Sequence, residues 1–213
     1  MPRPTARDPQ RGDARTRLLD AARDRIRAQG YAATTVDDLC REAGVTKGAF
    51  FHHFESKEAL GVAVAKQWTE ATTALFAAAP YHAPADPLQR VMAYIEYRKQ
   101  LVTGSFCQFT CLGGTLLQEV YESSPAMRDA CAESILGHAA TLEADIAAAM
   151  RAHAIEGNWT AESLARHTQT VIQGSFVMAK ATGDPETARE ALDHLARYVE
   201  LLFSPRAGKH DSA

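Results

Sequence analysis

Helical periodicity runs through almost the whole chain, and no stretch shows the strict alternation of apolar and polar residues that a half-buried strand requires. Apolar residues recur every three or four positions, and Gly or Pro interrupts the pattern where one helix ends. Hydrophobic residues make up 46% of the 213 residues, so the chain can bury a substantial core. The sequence therefore predicts an all-α fold of about nine helices.

The first predicted helix spans residues 13–29 and ends at Gly30. Its apolar face carries Leu19, Ala22 and Ile26, which follow helical spacing. The opposite face is charged, and we expect its residues to point to solvent: Arg17, Asp20, Asp24 and Arg27.

Two short helices follow, separated by a tight turn. Thr35 can cap the first of them together with Asp38, and Gly44 can end it in the left-handed conformation. Thr46 can cap the next, over residues 47–53. The residues expected to face inward are Val36, Leu39, Cys40, Ala43, Phe50 and Phe54. Two short helices joined by a Gly-containing turn and supported by a preceding helix predict a helix-turn-helix.

The rest of the chain is also punctuated into helices. Ser56 begins a long fourth helix that Pro80 stops. Five more helices are predicted: over 86–103, from the Gly/Cys-rich stretch 104–114 to about 123, over 125–153, over 160–181, and from the break at 183–185 to about 203.

Charge is unevenly distributed, and it divides the chain in the same place as the helix pattern. Residues 1–60 hold 11 Lys and Arg against 9 Asp and Glu, although the whole chain has a net charge of -3. A basic end on an acidic body fits a nucleic-acid partner at the N-terminus. We therefore expect a flexible basic arm over 1–12, a DNA-binding domain over 13–60, a ligand-binding and dimerisation domain over 61–204 and a flexible tail over 205–213. The arm could follow a DNA groove or be merely solvated.

Several classes of protein find no support in the sequence. No apolar run approaches the ~20 residues of a membrane span, and no signal peptide precedes the first helix, so we expect a cytoplasmic protein without a membrane partner. The four cysteines form no Cys-x-x-Cys pair, and we expect free thiols, no metal and no cofactor. No Gly-rich phosphate loop or nucleophile with a recognisable base indicates an enzyme. Glu119, Glu122, Asp193 and His194 are interpreted as residues of solvated helix faces.

Residues 44–60 carry a specific motif, GVTKGAFFHHFESKEAL. This segment, with Gly30, Tyr31 and the Thr34-Thr35-Val36 run upstream, resembles the helix-turn-helix signature of TetR/AcrR-type transcriptional regulators. The resemblance implies a ligand-responsive homodimeric repressor of a near-palindromic operator. One departure is Phe51, since this position is usually a Tyr whose hydroxyl meets a phosphate.

A second resemblance lies in the body of the chain. Thr110-Cys111-Leu112, Leu116, Glu119-Val120 and the segment 124–128 are similar to the branch of that family that contains the repressor of N-ethylmaleimide reductase. In that branch, Cys111 falls on a sensing-cysteine position and Lys180 on a nearby lysine. An ammonium beside Cys111 would favour its reactive thiolate. The alternative is that Cys111 is a small buried hydrophobe.

The motif assigns DNA contacts to particular side chains. Small residues at the start of the recognition helix let the backbone approach the groove, and Lys47 can donate to guanine or to phosphate. Thr35 and Lys57 are expected at phosphates, beside helix N-termini. The candidate DNA-binding residues are Thr35, Thr46, Lys47, Gly48, Ala49, Phe51, His52, His53 and Lys57. The alternative for Lys47 is a solvated lysine, and one of the two histidines could be structural.

The last two helices carry apolar stripes that could pair two subunits. A single helix-turn-helix contacts few base pairs, so specific binding implies a dimer. The candidate interface residues are Val171, Gly174, Ser175, Leu192, Leu195, Val199 and Leu202. The alternative is that these stripes pack the core of one subunit.

Large apolar residues in the middle helices could line a pocket for a small apolar or electrophilic effector. The candidate residues are Trp68, Tyr94, Tyr97, Phe109, Cys111, Leu112, Leu116, Phe176 and Lys180. An effector that tilts the fourth helix, which carries Trp68, would change the spacing of two recognition helices. The competing hypotheses are a ligand-insensitive architectural DNA-binding protein and, less favoured by the sequence, an α-helical enzyme.

Overall fold

The computed structural model describes residues 13–204, and this part of the chain is helical without a strand. The predicted arm over 1–12 and tail over 205–213 lie outside the described residues. The all-α prediction is confirmed. Ten α-helices occur in the described part: α1 Ala14–Gln29, α2 Val36–Ala43, α3 Lys47–His53, α4 Lys57–Ala77, α5 Pro87–Gln100, α6 Phe106–Phe109, α7 Leu112–Val120, α8 Pro125–Ala152, α9 Ala161–Thr182 and α10 Glu186–Phe203.

The first four helices begin at the residues that the sequence predicts. Asp13, Thr35, Thr46 and Ser56 each precede a helix, and each side-chain oxygen accepts a hydrogen bond from the backbone N–H three residues later. Such caps satisfy N–H groups that have no partner within the helix. Gly44 ends α2 with φ +62°, in the left-handed region as predicted.

The stretch 104–114 forms two helices where the sequence predicted the start of one. Ser105 and Gln108 cap the short α6, and Thr110 then has extended backbone angles of φ -77° and ψ 156°. Cys111 caps α7, where its Sγ accepts from the Gly114 N–H at 3.4 Å. Because the extended Thr110 breaks the helical path, the described chain has one helix more than the predicted nine.

The described residues fall into two compact units, and each combines segments that are distant in sequence. The first unit contains residues 13–78 and 104–137, and the second contains 79–103 and 138–204. No described helix is both long and apolar enough to span a bilayer.

The first unit has its core around α1. Leu18, Ala22 and Ile26 of α1 are almost fully buried, together with Leu39 of α2 and Phe50 of α3. Leu112 and Leu116 of α7 belong to the same cluster. Burial of each large apolar side chain contributes about 1.5–3 kcal/mol, so α7 is integral to the unit that contains the helix-turn-helix.

Polar contacts reinforce this packing. The Glu119 carboxylate on α7 accepts from the backbone N–H groups of Tyr31 and Ala32, both at 2.8 Å, in the loop between α1 and α2. Glu119 does lie on an exposed helix face, as predicted, but it also binds this loop. A Cβ at Gly30 would stand 2.6 Å from the carboxylate and would displace it, and the φ of +90° also favours glycine there.

The prediction that Arg27 faces solvent is wrong. Only 6% of Arg27 is exposed, since α6 and α4 cover this side of α1. Its Nε donates to the Thr110 carbonyl oxygen at 2.7 Å, and its guanidinium lies 4.6 Å from the centre of the Trp68 ring.

The second unit consists of α5, the second half of α8, α9 and α10. The three residues 183–185 join α9 to α10, so these helices pack as antiparallel neighbours. Ile172, Phe176, Leu192 and Val199 are buried between the helices of this unit. Ion pairs fasten α5 to its neighbours, with Arg90 bound to Asp145 and Lys99 to Asp193.

Substitution of Gly44 tests the turn of the helix-turn-helix. We expect Gly44→Ala to lower the free energy of unfolding by about 1–2 kcal/mol, because a Cβ is strained at φ +62°. The control is Gly137→Ala inside α8, where a Cβ also has open space but the backbone is helical. The free energy of unfolding of Gly137→Ala should rise by about 0.5–1 kcal/mol. Urea unfolding measures both, and equal effects would contradict the strain argument.

Candidate nucleic-acid interface and effector site

The third helix has one buried face and one exposed face. Phe50 is fully buried in the core of the first unit, whereas Phe51 is 55% exposed. Lys47, Gly48 and His52 lie on the exposed side, and Ala49 and His53 are half-buried. The structure therefore brings the predicted recognition residues onto one short, outward-facing helix.

Lys47 has a partner on the neighbouring helix. Its Nζ lies 2.8 Å from Asp37 Oδ1, and both side chains are 62% exposed. The hydrogen bond to Asp37 raises the pKa of Lys47, so this side chain remains a cation. An exposed pair of this kind is weak, and water or a phosphate can replace the carboxylate.

The two threonines expected near DNA both cap helices with their side chains. Thr35 Oγ1 accepts from the Asp38 N–H and also donates to the Asp38 carboxylate. Thr46 Oγ1 accepts from the Ala49 N–H at 3.1 Å. Both residues remain exposed, so they place the helix N-termini at the surface.

Lys57 points into its own unit. Its Nζ donates to the carbonyl oxygens of Tyr31 and Thr34, at 2.9 and 2.8 Å, and lies 4.1 Å from the centre of the Tyr31 ring. Burial lowers the pKa of Lys57. In this structure the ammonium holds the loop before α2, a role that sequence reasoning missed.

The predicted effector residues divide between the two units. Trp68, Phe109, Cys111, Leu112 and Leu116 belong to the first unit. Leu112 and Leu116 are fully buried in its core, and Cys111 is half-buried at the start of α7.

The remaining candidates belong to the second unit: Tyr94, Tyr97, Phe176 and Lys180. Lys180 is exposed near the end of α9, and Phe176 is buried with the Arg98 guanidinium 5.9 Å from its ring centre.

A polar network surrounds the buried Tyr94 in the second unit. The Tyr94 hydroxyl lies 2.8 Å from His138 Nε2 and accepts from Gln169 Nε2 at 2.9 Å. Burial, and then the charge of Arg98, lower the pKa of His138 from 6.5 to about 3. Sequence reasoning missed His138 and Gln169. The available signal was the register of His138, four residues before the buried Leu142 on the same helix.

The apolar stripes of α9 and α10 have an inner and an outer side. Ser175, Leu192, Leu195 and Val199 are buried within the subunit, which agrees with the alternative that they pack its core. Val171 and Leu202 are half-buried, and Gly174 is exposed. The outer side carries exposed apolar residues that the prediction did not include: Val177, Met178, Tyr198 and Leu201.

A three-helix unit whose capped second and third helices meet at a left-handed Gly, with the third helix facing outward, is a helix-turn-helix. Family models agree: residues 18–64 match "Bacterial regulatory proteins, tetR family", and residues 87–195 match "Tetracyclin repressor-like, C-terminal domain". The chain belongs to the TetR family of transcriptional regulators.

Individual relatives show the same relationship. The chain is 26% identical over 191 residues to the transcriptional repressor NemR of Escherichia coli, covering 88% of this chain and 94% of NemR. It is 30% identical over 131 residues to the regulator LmrA of Bacillus subtilis, covering 58% of this chain and 65% of LmrA, which is just under two thirds of that relative.

Solved structures share the fold. A TetR-family regulator from Agrobacterium tumefaciens has a TM-score of 0.77 at 20% identity, covering 87% of this chain and 96% of its own. The reduced form of E. coli NemR has a TM-score of 0.74 at 24% identity, and the match covers 86% of this chain and 95% of the NemR chain.

The half-buried His138 gives the protein a specific acid sensitivity. The folded protein keeps the imidazole neutral to about pH 3, whereas the unfolded chain binds a proton below about pH 6.5. Stability is therefore lost as the pH falls through this window. We expect the loss of unfolding free energy between pH 7 and pH 5 to be about 2 kcal/mol smaller in His138→Gln than in the unmodified protein.

Urea unfolding at the two pH values measures this difference. His194→Gln, at an exposed position of α10, is the control and should leave the pH dependence unchanged. An identical pH dependence in His138→Gln and the unmodified protein would show that His138 is not the group responsible.

Proposed function

We propose that this regulator is a homodimeric repressor that binds a near-palindromic operator through α3 and is released by a small apolar or electrophilic effector. The observation that carries the proposal is the exposed face of α3, with Lys47, Gly48, Phe51 and His52 held outward by the buried Phe50. A short helix of this kind fits the major groove, where base edges can be distinguished.

The candidate residues of α3 offer several kinds of contact with DNA. Lys47 can donate to guanine O6 and N7 or to a phosphate, and His52 and His53 can donate to bases or phosphates. Gly48 has no side chain to hold the backbone away from the groove. Phe51 can pack against sugar or a thymine methyl, but it lacks the hydroxyl that a tyrosine would present to phosphate.

A second copy of the chain is the proposed occupant of the outer side of α9 and α10. Leu201 is 73% exposed and Met178 is 55% exposed, and Val177 and Tyr198 extend the same apolar surface. A two-fold axis would pair this surface with itself and place two α3 helices at two half-sites. The named relative NemR is a repressor, which supports repression as the outcome of binding.

Electrophile sensing is proposed for Cys111. Its Sγ caps α7, the helix that carries Glu119 and thus holds the loop between α1 and α2. Addition of the Cys111 thiolate to a maleimide forms one S–C bond, and the electron pair of the C=C bond takes up a proton from water. The bulky adduct would displace the cap of α7, and this displacement would reach the helix-turn-helix through Glu119.

Operator binding tests the proposal directly. Fluorescence anisotropy with the DNA immediately upstream of the chain's own gene should show saturable binding that exceeds binding to a scrambled duplex. We expect Lys47→Met to weaken binding about tenfold. Asp37→Asn should tighten it, because it removes the carboxylate that competes with DNA for Lys47.

A double-variant cycle distinguishes this competition from a general charge effect. In the Lys47→Met background, Asp37→Asn should tighten operator binding much less than it does in the unmodified protein. Lys66→Met, at an exposed position of α4 outside the helix-turn-helix, is the matched control and should bind normally. Sedimentation at micromolar concentration should show a dimer. A monomer without preference for any duplex would refute the proposal.

The sensing role predicts that Cys111→Ser binds the operator normally but no longer releases it after treatment with N-ethylmaleimide. Cys131→Ala is the control, because Cys131 is fully buried and burial raises its pKa to about 12, which leaves it unreactive. This control should still release DNA when treated. Release that persists in Cys111→Ser would assign the reactive thiol elsewhere.

A further inference from the structure

A cleft of about 670 Å³ opens in the first unit between α1, α4 and α6. Of the candidate effector residues predicted from the sequence, Trp68 alone lines this cleft, and charged and polar residues form much of the rest of its wall. The lining residues are Arg23, Asp24, Arg27, Gln67, Trp68, Ala71, Thr72, Leu75, Ser105, Cys107 and Gln108.

Arg27 is the buried cation of this cleft. Although only 6% of the residue is exposed, no carboxylate among residues 13–204 forms an ion pair with it. Its hydrogen bond from Nε to the Thr110 carbonyl oxygen uses one of five N–H donors. Burial lowers the pKa of Arg27, yet a guanidinium remains charged at neutral pH. A desolvated charge without a counterion is costly, and an anion in the cleft would offset that cost.

The acidic residue of the cleft already has a partner. Asp24 binds Arg23 through both carboxylate oxygens, at 2.8 and 3.0 Å, and Arg23 also contacts Asp20 at 2.9 Å. Arg23 therefore shares its single positive charge between two carboxylates, and Asp24 is held by this guanidinium and not by Arg27. Arg27 lines the cleft as a cation, and it is favoured at longer range by the charge of Asp24 and, to a smaller extent, by Cys107 and Cys111.

Another part of the cleft wall is apolar and could contact the hydrophobic part of a ligand. Trp68 packs against the Arg27 guanidinium, and Ala71 and Leu75 follow it along α4. At the other side, Cys107 is half-exposed, and its Sγ lies 3.2 Å from Ser105 Oγ. A ligand that satisfies both parts carries one anionic end and one hydrophobic end.

We propose that this cleft binds a small organic carboxylate with an apolar body, whose carboxylate meets the Arg27 guanidinium and whose body lies along Trp68 and Leu75. A guanidinium accommodates a carboxylate with two parallel hydrogen bonds, which gives both affinity and orientation. Binding at this site requires neither DNA nor a second subunit, so it can be tested whether or not the protein is a repressor.

A pair of isosteric probes tests the charge requirement. The chain has two tryptophans, so a Trp159→Phe background leaves Trp68 as the fluorescent reporter. In that background 4-tert-butylbenzoate should bind at least about tenfold more tightly than neutral 4-tert-butylbenzamide. Arg27→Gln should reduce the preference to about twofold, and Arg27→Lys should retain part of it. Arg25→Gln, on the same helix but paired with Glu42, should leave the preference unchanged.

Alkylation of Cys107 gives a second readout that does not depend on the choice of ligand. We expect the ratio of the iodoacetate rate to the iodoacetamide rate at Cys107, measured by peptide mass spectrometry, to fall at least about threefold in Arg27→Gln, because the cation attracts the anionic reagent. Circular dichroism confirms that the variant is folded. Equal binding of the two probes, no binding of either, or an unchanged alkylation ratio would each overturn the proposal.

Discussion

Two backbone amides that donate to one carboxylate connect the beginning of this chain to its middle. The Glu119 oxygens accept from Tyr31 and Ala32, and Gly30 leaves the space that the carboxylate occupies. Charge-assisted hydrogen bonds of this kind are stronger than neutral ones. The loop that they hold leads directly into α2, and the Lys57 ammonium binds the same loop from α4. The orientation of the helix-turn-helix therefore depends on α7 and α4 together.

This arrangement gives a physical route for a signal within the first unit. Helix α7 shares a core with α1, and α6 also packs against α1. Cys111 and Glu119 lie on α7 or at its start, and Arg27 lies on α1. A ligand or an adduct can alter DNA binding only by the difference between its affinities for the bound and released conformations, which is typically 1–3 kcal/mol. In the proposed sensing role, a change at the start of α7 would act on the contacts of Glu119 over one short helix. Such coupling needs no long chain of intermediates.

The sequence predicted the local structure well, because local rules determine it. Caps at Thr35, Thr46 and Ser56 and the turn at Gly44 depend on residues three or four positions apart, so their signals lie within a short window. The inward-facing residues Leu39 and Phe50 follow from helical periodicity in the same way. The family motif over 44–60 rests on the same compact pattern.

The predictions that failed or were missed depend on contacts between distant segments. Arg27 has the periodicity of a solvated residue, but Thr110 and Trp68 cover it. The half-buried His138 contacts Tyr94, 44 positions away in sequence, and Tyr94 in turn accepts from Gln169. Helical periodicity shows which face of a helix is apolar, but it does not show which polar residue a neighbouring segment will cover.

The sequence by itself determined the helical class, the boundaries of most helices, the helix-turn-helix and the family, because all of these are encoded in short-range spacing and in one long motif. Tertiary structure alone decided that α6 and α7 join the unit of the helix-turn-helix, that Lys57 and Glu119 hold its loop, and that Arg27 is a buried cation in a cleft. These features require segments between 23 and 88 residues apart to be brought together by burial of a common core.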